Sequence, residues 1–456
     1  MSLITELNDD ILFTIIDDLS YYDIFTLSET NKYFNKFIKI NHKYFNKLLK
    51  VNYVREINRI TSVYKDIKLS FRIYEDTVNT NAINNILNIK HLDSSQNYIN
   101  QNTNFIDSIN NFSNVDTLIM NARFIGNINK IELYNLEKLV LMNCETLDLS
   151  QIKKFTKLKD LVISQLYADN LDFLENSYNL ESLEIDYSRI KKYNLNNCVN
   201  LKNLKIYYNE DNPNIIYSLY NCKKLKTLYL GAIDNIKSLY FLNNCVELEN
   251  ITLHRCRCLE TLYGLSSSNL ISVELDQCYF LRDINLLYNS KNLKKLTISH
   301  NNYIKNVNFK NIDNLTLIYC YSIRKISSNP KCLKIFGKNI TLPNNKNFKN
   351  NIVELYIHDN LKIKKIKHYP NLKWLSLNDC NIKKINNLDK LEMIYIKSCP
   401  NIKKLNLKTI DSIELFTLSG LTRLLINENI HYIKLSYVNK LKFVEFNNKL
   451  INFCIK

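Results

Sequence analysis

Residues 136–147, LEKLVLMNCETL, set the reading of the whole chain. Leu136 stands three before Leu139, Leu141 follows after one residue, Cys144 after two more, and Leu147 closes the phrase. The same phrase runs from Leu248 to Cys256 with Leu259, from Leu270 to Cys278 with Leu281, from Ile312 to Cys320 with Ile323, and from Leu391 to Cys399 with Ile402. The first residue of the central apolar pair falls at Leu118, Leu139, Leu161, Leu183, Leu204, Leu228, Ile251, Val273, Leu296, Leu315, Leu355, Leu375, Ile394, Ile413 and Ile433. Steps between them run from 19 to 24 residues, apart from one of 40 that must hide an irregular repeat around Leu333 and Ile335. A fixed period of this length marks stacked coils rather than ordinary domains.

The spacing has a physical meaning. The two apolar residues of each pair point inward from a short strand, and the Cys or Asn turns in to hydrogen-bond backbone where the chain leaves the strand. The phrase resembles the leucine-rich repeat, so the expected fold is an α/β solenoid, a horseshoe with a parallel sheet on its concave side and roughly 15 repeats over residues 112–456. Steps of 22 to 24 leave room for a convex helix, whereas those of 19 and 20 after residue 355 predict shorter, irregular returns. Leu441, Val444 and Phe446 read as a last partial coil.

On a rigid sheet the residues between and just after the apolar pair face solvent. Reading across that face gives Tyr187, Tyr207, Tyr208, Tyr229, His254, Arg255, Asp276, His300, Tyr319, Tyr356, His358 and Tyr395, joined by Met142, Asn143, Asp186, Gln277, Asp359, Asn378, Asp379 and Tyr437. Tyr, His and Arg are the composition of recognition surfaces, so this face is the expected site for a protein target.

The N-terminal stretch differs. Leu7, Ile11, Leu12, Ile15, Ile16 and Leu19 share one helical face, with Asn8, Asp9, Asp10, Asp17 and Asp18 on the other. Ser20 and Asp23 read as a capping box opening a second helix, and Ser28 or Thr30 as the cap of a third that carries Tyr33, Phe34 and Phe37. So small a unit must lean on the rest of the chain or on another protein. The stretch resembles an F-box: Leu7, Ile11, Leu12, Ile15, Ile16, Leu19, Asp23, Ile24, Leu27 and Lys32 stand where that pattern has them, Tyr33 falls close to its Trp, and Asn8 replaces its Pro. The resemblance implies that these helices bind a Skp1-like adaptor and attach the chain to a cullin-based ubiquitin ligase. Against it stands the plainer reading of a helical cap on the repeats.

Composition narrows the rest. With 46% hydrophobic residues the chain folds, while only 5 Gly and 5 Pro remove the usual linker signals. Heavy use of Asn and Lys looks like the codon bias of an AT-rich genome. Five glycines, at 126, 231, 264, 337 and 420, make no phosphate loop, and no nucleophile elbow or His-Glu-any-any-His helix occurs. Neither an enzyme nor a cofactor is expected. His254, Cys256 and Cys258 alternate as metal ligands would, but Cys256 holds the inward position shared by Cys144, Cys278, Cys320, Cys380 and Cys399, so no metal site is expected. Cys198, Cys222 and Cys245 read as small core hydrophobes.

The formal charge is +17, yet pairs such as Lys191-Lys192, Lys223-Lys224, Lys294-Lys295, Lys364-Lys365, Lys383-Lys384 and Lys403-Lys404 are spread along the sequence as solvated positions. Nucleic acid is therefore not the expected ligand, though a diffuse positive field favours acidic partners. The N-terminus carries Glu6, Asp9 and Asp10 rather than a secretory leader, and no run suits a membrane span. Twelve cysteines then read as reduced thiols in the cytoplasm or nucleus. The expected organisation is an F-box-like module at 1–45, a helical linker and irregular N-terminal cap at 46–111, and the solenoid at 112–456. The expected role is the substrate-recognition subunit of a ubiquitin ligase, with a scaffold or sequestering protein as the alternative.

Overall fold

The computed structural model describes residues 36–37, 49–51, 57–58, 69–72, 89–94, 109–121, 128–145, 147–207, 219–265, 269–309, 311–407, 410–426, 430–446 and 449–451. The chain divides into two compact units, Met1–Cys222 and Lys223–Lys456.

In the first unit the alternation of apolar residues makes strands, each paired in parallel with the next. The rungs are Thr117–Asn121, Lys138–Met142, Asp160–Ser164, Ser182–Asp186 and Asn203–Tyr207. Leu118, Leu139, Leu161, Leu183 and Leu204 form one inward column, all at most 1% exposed. The ladder begins before residue 112. Leu49–Val51, Leu69–Arg72 and Ile89–Ser94 precede it as parallel rungs, with a register shift at Leu69/Ser70.

The second unit repeats the design from Thr227–Gly231 through Asn250–His254, Ser272–Asp276, Lys295–Ser299, Asn314–Ile318, Cys332–Phe336, Glu354–His358, Trp374–Asn378, Met393–Lys397, Ser412–Phe416 and Tyr432–Ser436. The irregular repeat inside the 40-residue step is real: Leu333 and Ile335 are fully buried in Cys332–Phe336. Ile433, read as an inward residue, is 38% exposed. Among the described residues Tyr432–Ser436 is the last rung of this ladder.

From Lys138–Met142 onward, the residue after a main-ladder strand, where described, adopts a left-handed conformation, among them Asn143, Gln165, Tyr187, Arg255, Gln277, His300, Tyr319, Asp359, Asp379, Ser398 and Thr417. Non-glycine residues avoid that region at a cost of about 1 kcal/mol or more. Here the turn aims the N–H at the next coil. Arg255 N–H donates to Asp276 O, Gln277 to Ser299 O, His300 to Ile318 O, and Asp359 to Asn378 O, at 2.7–3.1 Å. The bond offsets the strain, and the rule carries any residue type.

The next residue turns inward. Asn301 and Asn360 are each at most 1% exposed. The Asn360 amide donates to Gly337 O and Ile340 O at 2.9 and 3.0 Å, and its oxygen accepts from the Lys362 and Ile363 N–H groups at 3.0 and 2.8 Å. Asn301 makes the matching four bonds. Where cysteine stands, its thiol supplies a weaker donor: Cys320 Sγ lies 3.3 Å from Ile298 O and Cys256 Sγ 3.7 Å from Leu230 O. Burial pushes the thiols of Cys144, Cys198, Cys245 and Cys320 up to about 12. They stay neutral in the core.

The returns differ from the helices expected at 22 to 24 residues. In the coils after Leu139, Leu161, Leu228 and Val273 they are short 3-10 turns, Ser150–Lys154, Asp172–Leu174, Tyr240–Leu242 and Asn285–Asn289. The return at Lys346–Asn351 is an α-helix, capped by Asn345 accepting from the Phe348 N–H at 2.7 Å. A return of about ten residues that must also cross the core leaves too few for several α turns. After residue 355 the returns become extended and pair in parallel: Lys365–Lys367 with Lys384–Asn386, and Lys404–Leu407 with Arg423–Ile426 and Phe443–Phe446. Lys449–Ile451 adds an antiparallel strand to the last of these, so the partial coil expected at 441–446 is built into the four-stranded sheet that starts at Lys404–Leu407.

Candidate functional site

The solvent face of the main ladder in the 223–456 unit joins most of the expected target-contacting residues into two neighbourhoods. The first is polar. His254 ends its strand with Nδ1 2.6 Å from Asp276 Oδ2, and His300 Nδ1 reaches Asp276 Oδ1 at 3.4 Å. Asp276 is thus gripped between two imidazoles from the coils on either side. Arg255 donates from Nε to Gln277 Oε1 at 3.2 Å. The His300 ring lies 5.4 Å from the Tyr319 ring, and Tyr319 OH donates to Asp359 Oδ2 at 3.0 Å, two coils away. Gly337 holds the equivalent position in the coil between and has no side chain to separate them. That hydrogen bond to the Asp359 carboxylate holds the Tyr319 phenol above its usual pKa.

The second neighbourhood is aromatic. Tyr356 and Trp374 stack at 6.2 Å, and the Lys334 ammonium sits 4.7 Å over the Tyr356 ring. Phe336 meets His358 edge-on at 4.6 Å, and His358 Nε2 lies 3.2 Å from Ser376 Oγ. Tyr395 tilts against Phe416 at 5.6 Å, under Lys434. Burial pushes the Tyr356 hydroxyl up to about 12 and holds His358 below the ordinary imidazole value of 6.5. Rings locked by neighbours lose little entropy when a partner covers them.

The depressed His358 pKa fixes a pH response. Below the ordinary value of 6.5 the unfolded chain takes up the proton before the folded chain does. This residue therefore leaves stability unchanged above that value and lowers it as pH falls. His358→Gln is expected to flatten the pH dependence of the urea midpoint between about pH 5 and about pH 7, and an unchanged slope would refute the assignment.

The other expected residues are placed less tightly. Tyr229 lies mid-strand in Thr227–Gly231, half-buried on the same face. In the 1–222 unit, Tyr207 ends its strand half-buried and Tyr187 is 58% exposed. Asn143 donates to Asn121 Oδ1 at 2.9 Å across coils. Tyr208 lies outside the described residues, as do Leu7, Ile11, Leu12, Ile15, Ile16, Leu19, Asp23, Ile24, Leu27 and Lys32. His254 and Cys256 point to opposite sides, one to the sheet face and the other into the core. Among the described residues no group of three or more His, Cys, Asp or Glu is placed to hold a metal.

Trp374, Phe336 and Phe416 are face residues that the sequence reading passed over. Trp374 stands just before its apolar pair, and the same two-residue alternation that turns Ser376 and Asn378 to this side of the sheet also places it there. Phe336 was hidden in the 40-residue step.

The F-box domain family matches residues 4–46. No curated protein matches the chain. Among solved structures, the leucine-rich-repeat protein LIC12759 of Leptospira interrogans superposes with a TM-score of 0.53 at 18% identity, covering 85% of this chain and 95% of that one. CroV588, described as a novel circular leucine-rich-repeat structure, gives 0.51 at 13% identity over 87% of this chain and 68% of its own.

Proposed function

From an F-box domain followed by a leucine-rich-repeat solenoid, we propose that this chain is the substrate-recognition subunit of a Skp1-cullin-F-box ubiquitin ligase. Both parts belong to families of interaction modules that are generally non-enzymatic, F-box domains binding Skp1 adaptors and repeat arrays binding protein targets. In this reading the F-box docks the adaptor and the sheet face of the repeats holds a protein. The linked machine then raises the effective concentration of the target's lysines at the charged thioester. Proximity does the work, and no residue of this chain performs chemistry. Unpaired cysteines throughout the described repeats suit the cytosol or nucleus, where such ligases act.

The observation that carries the target arm is the ordered aromatic cluster around Tyr356 and Trp374, large rings held on a rigid sheet beside charged neighbours. The test is reconstitution with adaptor, cullin and a conjugating enzyme, using proteins that co-purify with the full chain. Tyr356→Ala with Trp374→Ala is expected to weaken capture of a face-bound target by about tenfold or more, through loss of two anchors. Adaptor recovery should stay constant. Equal capture by the variant removes the sheet face as the target site, and captured protein that is never ubiquitinated leaves the scaffold reading in place of the ligase.

A further inference from the structure

On the return side of the 223–456 unit two small sheets, Lys365–Lys367 with Lys384–Asn386 and the one that begins at Lys404–Leu407, gather charge that the sequence disperses. Lys364-Lys365, Lys383-Lys384 and Lys403-Lys404 recur 19 and 20 residues apart, one pair per coil. Lys365 stands directly opposite Lys384 in the parallel pairing, and the Lys383 N–H donates to Lys364 O at 2.8 Å. Lys404–Leu407 lies beside Lys384–Asn386. The first two double-lysine rungs therefore sit at the paired-strand spacing of about 4.8 Å, and the third packs against the second, so the three form one patch.

Among the described residues no acidic side chain neutralises them. Lys365, Lys383, Lys384, Lys403 and Lys404 are exposed and make no ion pair, while Lys364 Nζ donates only to Leu361 O at 2.7 Å. Segments 361–371, 381–388 and 401–408 contain no Asp or Glu. Elsewhere on the unit the adjoining coils do pair lysine with acid, as in Lys373 with Glu392 at 2.6 Å. Like charges directly opposite across strands are unfavourable, so Lys365 and Lys384 carry a repulsion that a bound anion relieves.

Between the second and third rungs lies a cleft of about 640 Å³ lined by Lys383, Lys384, Asn386, Lys403, Lys404 and Asn406. A second, of about 350 Å³, is lined in part by Lys362, Lys364, Lys365 and Lys367. The exposed amides of Asn386 and Asn406 make no side-chain bond to the described residues and present donors and acceptors to a peptide backbone.

We infer that this lysine patch is a docking site for an acidic protein segment of four to six extended residues. The chemistry separates that occupant from other polyanions. The rungs expose no Phe, Tyr or Trp on which a nucleic-acid base would stack, and ammonium groups lack the planar fork that reads single phosphates. A membrane surface needs apolar anchors beside the charge, and Leu361 is the lone exposed aliphatic on these rungs. A run of carboxylates with backbone amides to spare matches both the lysines and the asparagines.

The test uses the full chain and a fluorescein-labelled hexaglutamate peptide, with an oligothymidylate of equal charge and phosphatidylserine vesicles in parallel. Hexaglutamate is expected to bind with an affinity that weakens as salt rises. Exchanging Lys383, Lys384, Lys403 and Lys404 for Gln should weaken it by about tenfold, and the variant folds because all four side chains are solvated. The same exchange at Lys191, Lys192, Lys223 and Lys224 lowers net charge equally and should change it by less than about twofold. Equal losses in the two variants reduce the effect to net charge and overturn the site. So does an absence of hexaglutamate binding, or tighter binding of the oligothymidylate or the vesicles. Because the readout is direct binding, it stands or falls separately from the adaptor reading.

Discussion

Asn360→Ala is expected to destabilise the 223–456 unit by roughly 3–6 kcal/mol, lowering the urea midpoint and opening the coil around residues 337–363 to hydrogen exchange. The argument is one of accounting for polar groups. Asn360 is fully buried and satisfies two carbonyls and two N–H groups, all four of which lose this partner when the amide is removed. Each lost bond is worth about 1 kcal/mol net, and each group left unpaired in the core costs more. Asn360→Cys should recover part of the loss. Cysteine fills this position in neighbouring coils, where Cys380 Sγ donates to Ile357 O, but one thiol cannot serve two N–H groups. In those coils the turn closes differently, with the Leu259 N–H bonding to Cys256 O at 3.2 Å. If alanine and cysteine variants lose the same stability, the amide network is not what holds the coil.

The largest functional effect is expected at the other end of the chain. Leu7→Asp with Ile15→Asp should abolish co-purification of a Skp1-type adaptor, a fall of at least about 100-fold, because two charges would enter an apolar helix-to-groove contact. The F-box match over residues 4–46 supports the choice, and the two substitutions alter one helical face. Circular dichroism and proteolysis of the repeats should stay at wild-type values. Persistent adaptor recovery would sink the ligase proposal while leaving the repeats as a binding array. Asn8→Pro makes the complementary measurement. It restores the residue of the F-box pattern, and a gain in adaptor affinity would show that the helix start limits the native contact.

Much of the fold could be read from the sequence because a solenoid uses local rules. Leu139 and Leu141 are inward for the same reason as Leu296 and Ile298: alternation on a strand sends every second side chain to one side. The inward Cys or Asn followed from the same phrase, and the structure adds that Asn301 and Asn360 bond four groups where cysteine bonds fewer. The convex returns were less legible. Short apolar runs such as those at 171–174 and 239–242 carry no periodicity that separates an α-helix from a 3-10 turn, and the room left by the core decided it.

The site divides along the same line. That Tyr356, His358 and Tyr395 share a face was determined by spacing. Their partners were decided by register between coils, which placed Trp374 on Tyr356, Phe336 on His358 and Asp276 between His254 and His300. Charge shows the difference most plainly. Along the sequence Lys364-Lys365, Lys383-Lys384 and Lys403-Lys404 look scattered, but a solenoid turns a step of one repeat into a step of one strand, so residues some twenty apart become neighbours. The sequence by itself therefore determined the coil, its inward columns and its F-box head, since each depends on residues close along the chain. Which side chains touch, and where charge collects, was decided by the stacking of coils, because the exact length of each return sets which residue lies beside which.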